Sequence, residues 1–161
     1  MKMSWSAHVT VATVVQQDGR FLLVEEHSEG FSHPVYNQPA GHVEAGETLI
    51  EAALRETLEE TAWQVKITDF LGIYTYTPPM FPDRTYFRFC FLAKALQNTQ
   101  QSLDQDILQA VWLSFDELQN SGRARSPLVL QAIQDTIAGQ KYPLNIIHEH
   151  PFHSLTSNLE A

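Results

Sequence analysis

The sequence predicts a single domain of the α/β or α+β class. Val- and Thr-rich segments come first, a strongly patterned acidic helix follows, and further strands and a C-terminal helix complete the order. Strand-like and helix-like segments interleave in this way when helices pack against the faces of a sheet. A chain of 161 residues with 43% hydrophobic content can build one real core and would be cramped as two. The domain is therefore expected to span residues 1–161, with its core at about 7–140 and a tail over 141–161.

Residues 7–16, AHVTVATVVQ, alternate imperfectly and are rich in Val and Thr, which suits a half-buried strand. Asp18-Gly19 supplies a tight hairpin turn, and Phe21 to Glu26 returns as the second strand. His27 to Tyr36, with its Gly, Ser and Pro, reads as a loop. In NQPAGH, Pro39 restricts the backbone and Gly41 lets it bend sharply. Thr48 followed by Glu51 is a capping-box signature, which opens a helix over Leu49 to Thr61. Trp63 to Thr77 reads as extended, with Gly72 as a bulge, and PPMFPDR is a proline-rich turn.

Thr85 to Leu96 resumes strand character, with Phe87, Phe89 and Phe91 on one side and Arg88 on the other. Residues 97–110 are polar and read as a mobile loop before a short strand VWL. Ser114 and Glu117 form a second capping box for a short helix ending near Gly122. Ser126-Pro127 then opens a final helix to about Gly139.

A net charge of −9 argues against a nucleic-acid binder, which carries a basic footprint. No apolar run approaches the roughly 18 residues of a membrane span. The N-terminus also lacks a charged lead-in and an apolar signal core, so a cytoplasmic protein with no membrane role is expected. Cys90 is the only cysteine, which excludes an internal disulfide, and its apolar surroundings point to a core thiol. No Gly-rich phosphate loop ends in Lys-Ser or Lys-Thr, which excludes a P-loop nucleotidase.

The acidic helix carries the chemistry. Positions three and four apart are helix neighbours, so Glu56, Glu59 and Glu60 fall within an arc of roughly 100°. Ile50, Ala53, Leu54, Thr57 and Leu58 project elsewhere and form the expected buried stripe. Carboxylates this close repel unless a cation offsets them. A hard divalent ion such as magnesium takes oxygen ligands of this kind. A solvated acidic face is the bland alternative.

The offsets resemble those of the Nudix hydrolase family. Its box reads Gly, five residues, Glu, seven residues, Arg-Glu, an aliphatic residue, any residue, Glu-Glu, any residue, Gly, aliphatic. Gly41, Glu47, Arg55, Glu56, Glu59 and Glu60 match in register, whereas Thr57 stands in an aliphatic slot and Ala62 in a glycine slot. Ala62 lacks glycine's ease in the left-handed conformation that ends many helices.

The resemblance implies an α/β/α sandwich with a mixed sheet, and a magnesium-dependent enzyme, manganese being a substitute, that cleaves phosphoanhydrides. It implies Glu59 and Glu60 as metal ligands, Glu56 as a third ligand or as the base, and Ala40 as a backbone carbonyl ligand. Arg55 would orient a carboxylate, and Glu47 would tie the loop to the helix.

The runs HVTVATVV, FLLVEE, RSPLV and GQKYPL resemble a bacterial phosphatase branch of the family in particular. That branch implies stepwise release of orthophosphate from nucleoside tri- and diphosphates, hydroxymethylpyrimidine pyrophosphate and thiamine pyrophosphate. Cleavage of a dinucleotide or ADP-sugar, and a non-catalytic nucleotide-binding regulator, are the alternatives; the intact carboxylate set counts against the regulator. Monomer and homodimer both fit.

Outside the box, Tyr36, Gln38, Arg88 and Asp106 are the candidate substrate contacts. Strand packing competes for Tyr36 and Gln38, and a solvent-facing sheet position competes for Arg88. Members of the family often place a further acid in the loop before the late strand, where Asp106 is favoured over Asp104. Arg123 and Arg125 meet either phosphates or solvent. His148, His150 and His153 cluster without zinc spacing.

Overall fold

The structure, a computed structural model, describes residues 4–150. Its strands are β1 (Ser6–Gln17), β2 (Arg20–Glu26), β3 (Val35–Asn37), β4 (Ala40–His42), β5 (Trp63–Tyr76), β6 (Arg84–Asn98) and β7 (Ile107–Leu113). Its helices are α1 (Leu49–Thr61), α2 (Phe115–Ser121) and α3 (Pro127–Ile137), followed by a 3-10 turn at Leu144–Ile146. The mixed sheet runs β3-β2-β1-β6-β5, with β4 beside β1 and β7 beside β2. Among the strands described, β1 and β6 pair in parallel and the other strand pairs are antiparallel.

Period-two alternation along β1 divides the core in two. Val11 and Val15 join Leu22, Phe91 and the α1 residues Ala52 and Ala53, whereas Ala12 and Val14 join Leu118 of α2 and Val129, Ala132 and Ile133 of α3. Helices thus cover both faces of the sheet, which is the α/β sandwich expected. Cys90 is fully buried in the second cluster, where burial pushes its thiol up to about 12 and leaves it inert. Among the described residues no helix is long and apolar enough to cross a membrane.

The β1–β2 hairpin turns through Asp18 and Gly19 at φ 50° and 75°, the paired left-handed residues of a two-residue turn. At α1, Thr48 Oγ1 accepts from the Glu51 N–H at 3.1 Å and Glu51 returns the bond to the Thr48 N–H at 2.7 Å. The Glu149 carboxylate accepts from the Leu49 N–H at 2.9 and 3.1 Å, adding a negative charge where the helix dipole favours one. Ala62 ends the helix at φ 60°, a conformation that costs a non-glycine residue about 1 kcal/mol.

The buried stripe of α1 differs from the one expected. Ala53 and Thr57 are buried as expected and Ile50 and Leu58 are half-buried, but Leu54 is 37% exposed, and Ala52, Glu60 and Thr61 are buried in addition. These small residues bring the helix close to β1, where the Thr13 hydroxyl donates to the Ala53 carbonyl at 3.5 Å. Thr57, in the aliphatic slot, satisfies its hydroxyl by donating to Ala53 O at 2.7 Å.

The segment 97–110 is also not one loop. β7 begins at Ile107 and pairs with β2 along its length, a half-exposed edge strand whose Leu108 and Gln109 face outward. The remaining loop is tied down: the Thr99 N–H donates to Ala62 O at 2.8 Å, and the Asp104 N–H to Glu59 O at 3.1 Å. Carbonyls left over at the end of α1 thus anchor it. The bulge expected at Gly72 is present as a register shift between Phe70 and Gly72. Residues 141–147 pack back on the sheet, with Tyr142 exchanging bonds of 2.9 and 2.7 Å with Phe70. His148 and His150 follow, and His153 lies outside the described residues.

Candidate active site

One guanidinium organises the acidic residues. Arg55 donates from Nε and Nη2 to Glu47 at 3.0 and 2.7 Å, from Nη1 to Glu56 at 2.7 Å and to Glu59 at 3.2 Å, and from Nη2 to the His42 carbonyl at 3.0 Å. The Glu44 carboxylate stands 3.8 Å away. The fork geometry of arginine permits this, and the compact charge of a lysine would not. The bond from Arg55 holds the Glu47 carboxyl below its ordinary range. Arg55 therefore links the loop before α1 to the helix face that carries Glu56 and Glu59.

Gly41 has a steric reason. A Cβ there would meet the carboxyl carbon and Oε1 of Glu56 at 2.2 Å, so this carboxylate rests directly on the β4 backbone. Next to it, the Ala40 N–H donates to Glu60 Oε2 at 2.8 Å. Glu60 is 8% exposed, and burial pushes its carboxyl up to about 9. Glu56 is also raised, by burial first, with Arg55 pulling the other way.

A third acid joins from outside the box. Oxygens of Glu56, Glu59 and Asp104 lie within 4.8 Å of one another. The Asp104 amide bond to Glu59 O holds the loop in reach of the helix. Of these three carboxylates Arg55 bonds to Glu56 and Glu59, and Glu47 already shares its single charge. The donor set is all oxygen and in excess of cation, which fits a hard divalent ion.

Glu60, Ala40, Gly41, His42 and Asp104 also line a cleft of about 600 Å³. Arg88, Arg125, Glu26 and Asp106 line it too, with Phe31, Tyr76, Phe81 and Tyr86 supplying apolar wall. Glu56 and Glu59 reach this cleft through Asp104, which belongs to both groups.

Of the candidate substrate contacts, the structure brings Arg88 and Asp106 to the cleft. Arg88 is not a solvent-facing sheet residue: it is buried, with bonds to Asn37 and Gln38. Asp104 joins the carboxylate cluster and Asp106 does not. Tyr36 and Gln38 are not brought to the cleft. Gln38 is 1% exposed, donating to the Val129 carbonyl at 2.8 Å and accepting from Arg88 at 3.2 Å. Tyr36 lies under Arg123, whose Nη1 donates to its hydroxyl at 3.2 Å. Arg123 is committed to Glu25 and the Pro34 carbonyl, which leaves Arg125 as the arginine of this pair that faces the cleft.

Glu26 is a further acid of the cleft, outside the box and not among the candidates above. It ends β2, is 7% exposed, accepts from Asn37 at 3.3 Å and pairs with Arg125 at 3.3 Å. Burial raises its carboxyl above the ordinary range. As the second Glu of a strand-ending pair it carries no local signal, since the β2–β3 register brings Asn37 to it and Arg125 arrives from the segment before α3.

A mixed sheet between helices, with a Gly-to-Glu box folded around one arginine, defines a Nudix hydrolase. The family model described as the NUDIX domain matches residues 6–132, and the chain belongs to that family. It is a hydrolase acting on phosphoanhydrides, a class that works on small nucleotide-like substrates with divalent metal ions.

Among curated relatives, the chain is 43% identical to phosphatase NudJ of Escherichia coli over 142 residues, which cover 87% of this chain and 90% of the relative. Among solved structures, a Nudix hydrolase from Nitrosomonas europaea superposes with a TM-score of 0.84 at 41% identity, covering 90% of this chain and 98% of the other. A MutT Nudix hydrolase from Burkholderia pseudomallei shares the fold alone, with a TM-score of 0.69 at 18% identity over 81% of this chain and 98% of that one.

Proposed function

We propose that this chain is a magnesium-dependent phosphatase. Its substrates are nucleoside tri- and diphosphates together with hydroxymethylpyrimidine pyrophosphate and thiamine pyrophosphate, and its product is orthophosphate. Manganese replaces magnesium. The observation that carries this reading is the cluster of Glu56, Glu59 and Asp104 within 4.8 Å, sharing Asp104 with a cleft that also holds two arginines. The likeness to phosphatase NudJ over 87% of the chain supports orthophosphate as product and counts against a nucleoside monophosphate.

Glu56, Glu59, Glu60 and Asp104, with the Ala40 carbonyl, are the groups that would hold the ion. The chemistry a hard divalent ion supplies there is neutralisation of phosphate oxygens and acidification of the attacking water. Arg55 keeps the carboxylates in place against their mutual repulsion, through the bonds that tie it to Glu47 and the His42 carbonyl. Glu56, raised by burial and fixed between Arg55 and Gly41, takes the proton of the water as its oxygen attacks phosphorus. The bridging oxygen leaves with the shortened substrate. Arg125, partly exposed in the cleft, meets the phosphate chain, and Asp106 stands on the same wall.

The test is a substrate panel. Purified protein with magnesium is given a nucleoside triphosphate, hydroxymethylpyrimidine pyrophosphate and an ADP-sugar, and products are resolved by phosphorus NMR. Orthophosphate as the first product from the first two supports the reading. A nucleoside monophosphate from the ADP-sugar as the dominant product refutes it in favour of a pyrophosphatase. Absence of turnover on the whole panel refutes it in favour of a binding regulator.

A further inference from the structure

Arg88 is the buried arginine among the described residues, at 8% exposure. Its guanidinium bonds to neutral amides: Nη1 donates to Gln38 Oε1 at 3.2 Å and Nη2 to Asn37 Oδ1 at 2.8 Å. Arg20, Arg55, Arg84, Arg123 and Arg125 each have a carboxylate within ion-pairing distance, whereas Arg88 has none among the described residues. Glu26 and Glu60 act on it through their field without touching it. A buried charge in this state is costly, and the cost is recovered when an anion arrives.

The arrangement is also rigid. β6 lies between β1 and β5, where Arg88 is registered with Thr10 on one side and Tyr74 on the other. The two amides are turned toward Arg88 because their N–H groups are engaged elsewhere, Gln38 with the Val129 carbonyl at 2.8 Å and Asn37 with Glu26 at 3.3 Å. A strand-bridging arginine with a purely architectural role would be expected to carry a carboxylate partner and to stay clear of the cleft. Arg88 lines the cleft, together with Arg125.

We propose that Arg88, with Arg125, forms a receptor for the terminal phosphate of the substrate, and that orthophosphate stays bound there after cleavage. Orthophosphate is then a competitive product inhibitor. The inhibition rests on the phosphatase reading above, whereas the anion site is measurable without turnover.

The experiment titrates inorganic phosphate into the magnesium-loaded protein, followed by phosphorus NMR line width and by calorimetry. Wild type is expected to bind. Arg88→Gln weakens binding by about tenfold or more, because charge-assisted bonds to the guanidinium are lost. Arg88→Lys keeps the charge and retains part of the affinity. Circular dichroism reports whether Arg88→Gln folds. If it does not, Arg125→Gln, at a side chain 40% exposed, provides the same comparison with an expected loss of a few fold.

No binding to wild type, or equal binding to wild type and a folded Arg88→Gln, would overturn the proposal. Phosphate binding through Arg88 in a protein that hydrolyses no phosphoanhydride would refute the phosphatase reading and leave the anion site standing. A working phosphatase that neither binds orthophosphate nor responds to Arg88→Gln would do the reverse.

Discussion

Gly41→Ala tests the packing of Glu56 against the β4 backbone. Gly41 has no left-handed φ, so alanine meets no backbone strain and the steric effect is isolated. The new methyl would stand 2.2 Å from the Glu56 carboxyl carbon. Ordinary contact between carbons begins near 3.5 Å, so the carboxylate must retreat by about 1.3 Å. Overpacking of this kind costs about 1–3 kcal/mol, and the carboxylate is a side-chain end, so the loss of stability should lie toward the lower figure. Activity is less forgiving. Retreat breaks the 2.7 Å bond to Arg55, and displacing a catalytic group by about 1 Å costs on the order of 100-fold in rate. That corresponds to about 2.7 kcal/mol of transition-state stabilisation. The assay is kcat/KM on a nucleoside triphosphate with saturating magnesium, beside a urea melt. A variant within about threefold of wild type would show that the Glu56 position is not needed for turnover, and a crystal structure with Glu56 unmoved would show that the close packing on Gly41 is absent.

Asp104→Asn should lower turnover by roughly 10- to 100-fold at limiting magnesium, with a smaller effect for Asp106→Asn, because only Asp104 shares the cluster with Glu56 and Glu59; magnesium titrations of activity compare the two. Glu60→Gln should abolish turnover yet stabilise the metal-free protein above neutral pH, by removing a charge from a buried site. The same residue sets a pH dependence. Its folded-state carboxyl lies near 9 and its unfolded-state value near 4.3. The group thus contributes stability that is fully present below the lower value and is lost as pH rises toward 9. Thermal melts in chelator should fall across that window, and magnesium should reduce the fall because binding displaces the proton. Glu149→Ala should cost about 0.5–1 kcal/mol in urea denaturation without changing kcat, since it removes the carboxylate from the first turn of α1.

Where local chemistry decides structure, the sequence was readable. The Thr48–Glu51 box places α1 at Leu49, and Asp18-Gly19 closes the first hairpin, because each satisfies its own backbone within a few residues. The Arg55 clamp likewise follows from spacing along one helix and its preceding loop. What escaped depends on register between distant strands. Leu54 faces outward because α1 approaches β1 through Ala53 and Thr57 of the expected stripe, a rotation of the helix about its axis that periodicity alone does not set. β7 was hidden by its exposed Leu108 and Gln109, which read as loop until β2 supplies a partner.

The cleft beyond the box is of the same kind. Asp104 and Asp106 are indistinguishable in a polar segment, and only the amide bond from Asp104 to the end of α1 selects one. Arg88 alternates with phenylalanines as a surface residue would, yet Asn37 at the end of β3 and Gln38 just after it, some fifty positions away, enclose it. Tyr36 and Gln38 sit close to the box in sequence, but their side chains serve Arg123 and Arg88 instead of the cleft.

The box carboxylates and Asp104 are expected to grip one divalent ion at the edge of the cleft. Soaking crystals in manganese and collecting anomalous diffraction tests it directly. The expected result is a peak bounded by oxygens of Glu56, Glu59 and Asp104, lost in Glu59→Gln. A manganese peak elsewhere, with these three carboxylates turned apart, would contradict it.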